Sequence, residues 1–164
     1  MSFSVRTLST WIAILGSLSS LQAVAQSNER ELVLSVIYDW ADTLTTNDLE
    51  RRKQLTIDGS MIQRMRQQPD GSFTLAPSIV NFADMKPSEV AMVERFWDEE
   101  LIIRDRFASF IAEYDFWIDG VFSHCGTDVF DMIKVDGQWK IGNMKFTIIT
   151  TGCPDSPLGV LKAQ

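Results

Sequence analysis

FASFIAEYDFWIDGVFSHCGTDVFDMIKVDGQWKIGNMKFTIIT, residues 107–150, contains two Asp-Gly pairs set between long runs of alternating apolar residues. An Asp-Gly pair in that setting signals a tight hairpin, because both residues tolerate the positive φ that such turns require. The stretch therefore divides into strands over 107–118, 121–135 and 139–150, joined at Asp119-Gly120 and at Asp136-Gly137-Gln138. Runs of about a dozen residues, against a usual strand of about five or six, belong to a sheet that bends strongly. A bent sheet has a concave face, and something must cover it.

Working outward, Leu101-Ile102-Ile103 reads as a strand that turns at Arg104-Asp105 into this meander, while residues 89–97 fit either a helix or a strand. Met61 to Arg66 and Ser72 to Leu75 can pair around Pro69-Asp70-Gly71, and Ile57-Asp58-Gly59 reads as a turn. Ser78 is placed to cap a short helix over 79–85 that stops before Pro87. Upstream, Asn28 can cap a helix with Glu31 three residues on, and Val33, Val36, Ile37, Trp40, Ala41 and Leu44 follow one helical face. A short second helix follows over 48–55. Helices first and then a strongly curved antiparallel sheet of several strands make an α+β domain, with the helices packed in the concavity.

The 164 residues support one domain over 26–153, with 154–164 a loose C-terminal tail. Residues 1–25 read as a secretory signal: Arg6 is the only charge, 11–21 is mostly apolar or small, and Ala23-Val24-Ala25 precedes a cleavage near Gln26. The apolar run is too short and too serine-rich for a membrane span. A periplasmic or secreted location is expected, with no membrane association after cleavage.

The formal charge is -7, which disfavours a nucleic-acid partner. An exported chain meets an oxidising compartment, so a disulfide between Cys125 and Cys153 is expected. Two unpaired thiols are the alternative, since strict pairing brings Cys125 to Ile149 and the chain must fold back beyond Thr151-Gly152 to return Cys153.

No metal-ligand spacing surrounds the single histidine, His124, and no cofactor motif occurs. The dense polar cluster is Ser123-His124-Cys125-Gly126-Thr127-Asp128. Alternation puts His124, Gly126, Asp128 and Phe130 on one face, and Phe110, Ala112, Tyr114 and Phe116 on one face of the preceding strand. Facing the concavity, Asp128 would have its pKa raised by desolvation with His124 beside it, as in a pocket built for acid-base work. Alternatively Asp128 caps or pairs at the surface and His124 is a satisfied strand residue. Strict register would place Asp128 and Tyr114 on opposite faces, so a bulge is expected near Cys125-Gly126.

From Asp119-Gly120 through 123–130, Asp136 to Ile141 and a late Gly152-Cys153, the chain resembles the nuclear-transport-factor-2-like superfamily. It is similar to exported bacterial members grouped with lumazine-binding-like and polyketide-cyclase-like proteins. The resemblance covers residues 28–153 and implies a cone-shaped sheet wrapped around helices, with a pocket at the open end. The ketosteroid isomerases of the same superfamily use a carboxylate base, a tyrosine and a protonated acid. Matched by segment, Asp128 falls at the acid and Met144 and Phe146 at pocket-lining positions. Trp40 stands at the tyrosine position and no carboxylate stands at the base position near Gln63-Arg64, so the isomerase activity does not carry over.

The sequence thus points to a binding domain for a small apolar or aromatic ligand, walled by Trp40, Phe110, Tyr114, Phe116, Met144 and Phe146, with His124 and Asp128 at its polar end. An isomerase- or cyclase-type enzyme using Asp128 or His124 for proton transfer is the second reading. The third is a structural or interaction module with a filled core. Val129, Ile133, Trp139 and Ile141, on strand faces turned away from the pocket, suggest a homodimer.

Overall fold

The computed structural model describes residues 12–162, and for 12–25 the backbone alone. Among the described residues the chain forms two helices, α1 (Ile12–Thr46) and α2 (Leu49–Leu55), followed by six strands. The strands are β1 (Thr56–Gln67), β2 (Phe73–Ile79), β3 (Met92–Arg104), β4 (Phe107–Ile118), β5 (Val121–Val135) and β6 (Gln138–Ile148). The expected signal lies outside the described residues for 1–11. Its remainder is continuous with α1, so Asn28 sits inside a helix rather than capping one. Once formed, a helix gains a hydrogen bond for each residue added, and the good helix formers over 21–25 offer no stop.

The strands form a single curved sheet in the order β2-β1-β6-β5-β4-β3. Neighbours pair antiparallel, except that β1 runs parallel to β6. The meander follows the Asp-Gly turns, with φ of 50° and 75° at Asp119-Gly120 and 51° and 81° at Asp136-Gly137. Asp48 Oδ1 caps α2 by accepting from the Arg51 amide at 2.9 Å.

Two expected features take other forms. Ile57-Asp58-Gly59 is no turn but an irregularity within β1, where the register against β6 jumps between Thr56 and Met61. No helix starts at Ser78: β2 runs on through Ile79, and Val80 continues to bond with Ser60 and Gly59, as a β-branched pair favours. Only a turn at 82–84 remains of the expected helix.

α1 covers the concave face with the helical stripe read from the sequence: Val33, Ile37, Trp40, Ala41 and Leu44 are buried and Val36 is half-buried. Opposite them stand Phe96, Phe110, Phe130, Met132 and Ile141. Trp40 meets Phe130 edge-on at 5.5 Å, and Phe96, Phe110 and Phe130 contact one another edge-to-face at 5.8–6.0 Å. Each such ring contributes on the order of 2–3 kcal/mol of burial, with about 1 kcal/mol more per well-oriented pair. Glu29 ties α1 to the β5–β6 end, accepting from Lys134 Nζ at 2.7 Å and Trp139 Nε1 at 2.9 Å.

Trp139 and Ile141 belong to this core, which corrects their assignment to the outer face. The register of β5 against β6 shifts because Gly142 is an extra residue, Met132 pairing with Ile141 and Asp131 with Asn143. Side chains before that bulge therefore point to the face opposite the one alternation gives. Val129 and Ile133 do lie on the outer face.

Cys125 and Cys153 are disulfide-bonded, with Cα atoms 6.0 Å apart. Gly152, at φ 83°, makes the reversal that brings Cys153 back. The residues beyond lie against the outer face of β3–β5, where Arg95 donates to the Gly159 carbonyl at 2.8 Å. Arg95 also forks onto Asp115, which additionally accepts from Trp117 Nε1 at 2.9 Å.

Candidate functional site

Cross-strand register builds the site on the concave face, toward the end of the sheet away from the Trp40–Phe130 core. Glu94 on β3 pairs with Phe116 on β4, which pairs with His124 on β5. The next row runs Phe96, Tyr114, Gly126. The one after it runs Ala112, Asp128, Phe146 and Arg64 across β4, β5, β6 and β1.

A bulge does put Asp128 on the same face as Tyr114, but it lies at Ser123, earlier than expected: Trp117 pairs with Phe122 and Phe116 with His124. Gly126 serves another purpose. A Cβ there would sit 2.2 Å from the Thr147 carbonyl oxygen and 2.5 Å from Thr147 Oγ1, so only glycine lets β5 and the end of β6 approach this closely. Thr147 in turn accepts the Tyr114 hydroxyl at its carbonyl, 2.6 Å away, and the Thr127 amide at Oγ1, 2.9 Å away.

The electrostatic centre is a pair of carboxyl groups, and sequence reasoning found one of them. Asp128 is buried, and its carboxyl lies within hydrogen-bonding reach of that of Glu94. Asp128 Oδ2 and Glu94 Oε2 are buried and accept no hydrogen bond from a donor among the described residues. Burial pushes the Glu94 carboxyl up to about 8, with the hydrogen bond to Asp128 opposing the shift. Burial first, and then the proximity of Glu94, raises Asp128 well above the carboxylate range. Two desolvated acids in contact cannot both ionise cheaply, so the pair keeps a proton at neutral pH. Tyr114 is raised as well, by burial and by both acids.

His124 is half-buried and stacks on Phe116 at 4.9 Å, with Tyr114 edge-on at 5.7 Å and Ser123 Oγ 2.9 Å from its Nδ1. Burial, followed by the charge of Arg66, lowers its pKa to about 4. It is therefore neutral at physiological pH. The Arg64 guanidinium lies 5.6 Å from the centre of the Phe146 ring and donates to Ser78 Oγ at 2.7 Å.

The structure thus gathers Tyr114, Phe116, His124, Asp128 and Phe146 into one group. Trp40, Phe110 and Met144 lie deeper, sealed among core side chains. Sequence reasoning missed Glu94, which stands in the stretch left open between helix and strand. Its signal was a carboxylate alternating with Met92 and Phe96 on what proves to be an inward face. Among the described residues no group of three or more His, Cys, Asp or Glu is placed to hold a metal ion. No described helix is long and apolar enough to cross a membrane.

No family model matches the sequence, and no curated protein matches it. Solved structures do match in fold. A cystatin-like protein of unknown function from Nostoc punctiforme aligns with TM-score 0.56 at 11% identity, over 79% of this chain and 94% of that one. A candidate dehydratase of the NTF2-like family from Streptomyces avermitilis aligns with TM-score 0.57 at 9% identity, over 76% and 98%. The β subunit of a candidate aromatic-ring-hydroxylating dioxygenase from Novosphingobium aromaticivorans aligns with TM-score 0.60 at 15% identity, over 84% and 98%. With two helices packed against a curved, unclosed six-stranded sheet, the chain has the nuclear-transport-factor-2-like, cystatin-like fold.

Proposed function

We propose that this protein is an exported small-molecule-binding domain whose ligand enters at the open end of the sheet. The ligand's flat apolar part lies among Phe116, His124, Tyr114 and Phe146. Its polar end meets the carboxyl pair. The observation that carries this reading is the pair of buried, unsatisfied oxygens on Asp128 and Glu94. A buried acceptor without a donor costs about 1–3 kcal/mol, which a ligand hydroxyl or amine would recover. The disulfide and the apolar N-terminal segment support export.

A second reading, an isomerase- or cyclase-type enzyme, is favoured by the shared proton. An acid raised to about 8 can deliver a proton to a bound substrate near neutral pH. Two copies would pair through the outer face, where Ile102 and Phe107 are exposed and line an apolar cleft with Ile133.

Thermal-shift and native mass-spectrometry screening against flavin-, pterin-, steroid- and polyketide-like compounds tests the binding reading. A hit weakened in Asp128→Asn or His124→Ala supports it. No hit, with both variants as stable as the parent, overturns it in favour of a filled structural core.

A further inference from the structure

Two cations stand at the rim of this site, and neither forms an ion pair among the described residues. Arg64 is half-buried, and burial lowers its pKa, so its guanidinium has lost part of its hydration. Its described partners are a neutral hydroxyl, that of Ser78, and the face of Phe146. Arg66, one inward-facing position along the same strand, is exposed at the mouth, and its charge reaches both His124 and Tyr114. The ion pairs of the described residues use other arginines, Arg51 and Arg95. In a chain of formal charge -7, two neighbouring arginines without acidic partners are out of keeping with the surface.

A partly desolvated guanidinium without a counter-charge is costly, and a carboxylate suits its fork of donors in both charge and shape. Resting on the binding reading above, we propose that Arg64 and Arg66 form an anion-binding end of the site and that its ligand is a small aromatic carboxylate. Arg64 and Asp128 share a cross-strand row with Phe146 between them, which separates their backbones by two strand spacings, roughly 10 Å. A single-ring ligand lying over Phe146 would span that interval. Its carboxylate meets the arginines, its face meets Phe146 and Phe116, and a donor on its far side meets the unsatisfied oxygens of Glu94 and Asp128. The two ends also discriminate: the acids repel a second anionic group, and the arginines reject an amine at the rim.

The test uses 4-hydroxybenzoate and its neutral amide, 4-hydroxybenzamide, in calorimetric titrations of the parent protein, Arg64→Gln, Arg66→Gln and Glu94→Gln/Asp128→Asn. Arg66 is exposed, so its variant keeps the test valid if Arg64→Gln folds poorly. The expected result is that the acid binds the parent at least tenfold more tightly than the amide, and that each arginine variant removes most of this preference, weakening the acid far more than the amide. Equal binding of acid and amide to the parent, both weakened in the carboxyl double variant, overturns the anion site and leaves the binding reading standing. Failure of both probes to bind the parent, even at millimolar concentration, overturns the proposal from the other side, through the reading on which it rests.

Discussion

Changing the pH between 6.5 and 8 isolates the buried carboxyl pair. In the folded protein Glu94 titrates at about 8, against 4.5 for an unperturbed side chain. Over that interval the folded state holds a proton that the unfolded chain has released, so stability falls as pH rises. The slope is about 1.4 kcal/mol per pH unit for each proton held, tapering as pH approaches the folded pKa. From pH 6.5 to 8 the loss is therefore about 1.5–2 kcal/mol for one proton. Below 6.5 the sign is mixed. His124 is depressed from 6.5 to about 4, so there the unfolded chain takes up a proton that the fold refuses, and stability drops with falling pH. The two trends oppose each other between 4.5 and 6.5, which is why the higher window is the informative one. Urea denaturation at constant ionic strength, at half-unit pH steps, measures the slope. Glu94→Gln/Asp128→Asn should flatten it, while His124→Ala should leave it intact above about pH 7.5, where the unfolded imidazole has already released its proton. A flat parent profile from 6.5 to 8, or an unchanged slope in the double variant, would refute the shared proton.

Other perturbations test the frame around the site. Gly126→Ala drives a Cβ into the Thr147 carbonyl and should cost about 1–3 kcal/mol or more by urea titration; a change within about 0.5 kcal/mol would deny the close approach. Arg95→Met leaves Asp115, which is 2% exposed, as an unpaired buried charge, with an expected loss of about 3–5 kcal/mol that Arg95→Met/Asp115→Leu should largely restore. Replacing both cysteines by serine opens a loop spanning 28 positions and should lower stability by about 2–4 kcal/mol, read as the loss of any difference between reducing and oxidising conditions. The proposed pairing predicts that the parent sediments as a dimer and that Phe107→Glu, which places a charge in the outer apolar cleft, sediments as a monomer; a monomeric parent would contradict it.

The meander was legible because its turns are local: Asp-Gly pairs dictate φ, and alternation on either side dictates the faces. Failures of the sequence reading occur where one extra residue reverses alternation. Ser123, an ordinary polar residue, hosts the first bulge, while the nearby Gly126 has a packing role instead. Gly142 hosts the second, and it moves Trp139 and Ile141 from the outside into the core. Ser78 looked like a helix cap because capping chemistry is local, whereas the pairing of β2 with β1 that overrides it is not. Asp128 was found because it lies in a polar cluster between strong turns. Glu94 was not, since its meaning depends on β3 lying two strands from β5, which no local pattern encodes.

The infrared spectrum of the protein at pH 7 tests the central claim most directly, because a protonated carboxyl absorbs apart from ionised carboxylates. A carbonyl band of a buried carboxylic acid should be present in the parent, vanish in Glu94→Gln/Asp128→Asn, and fade as pH is raised through about 8. Its absence from the parent at pH 7 would mean that both acids are ionised, which contradicts a proton held by the pair.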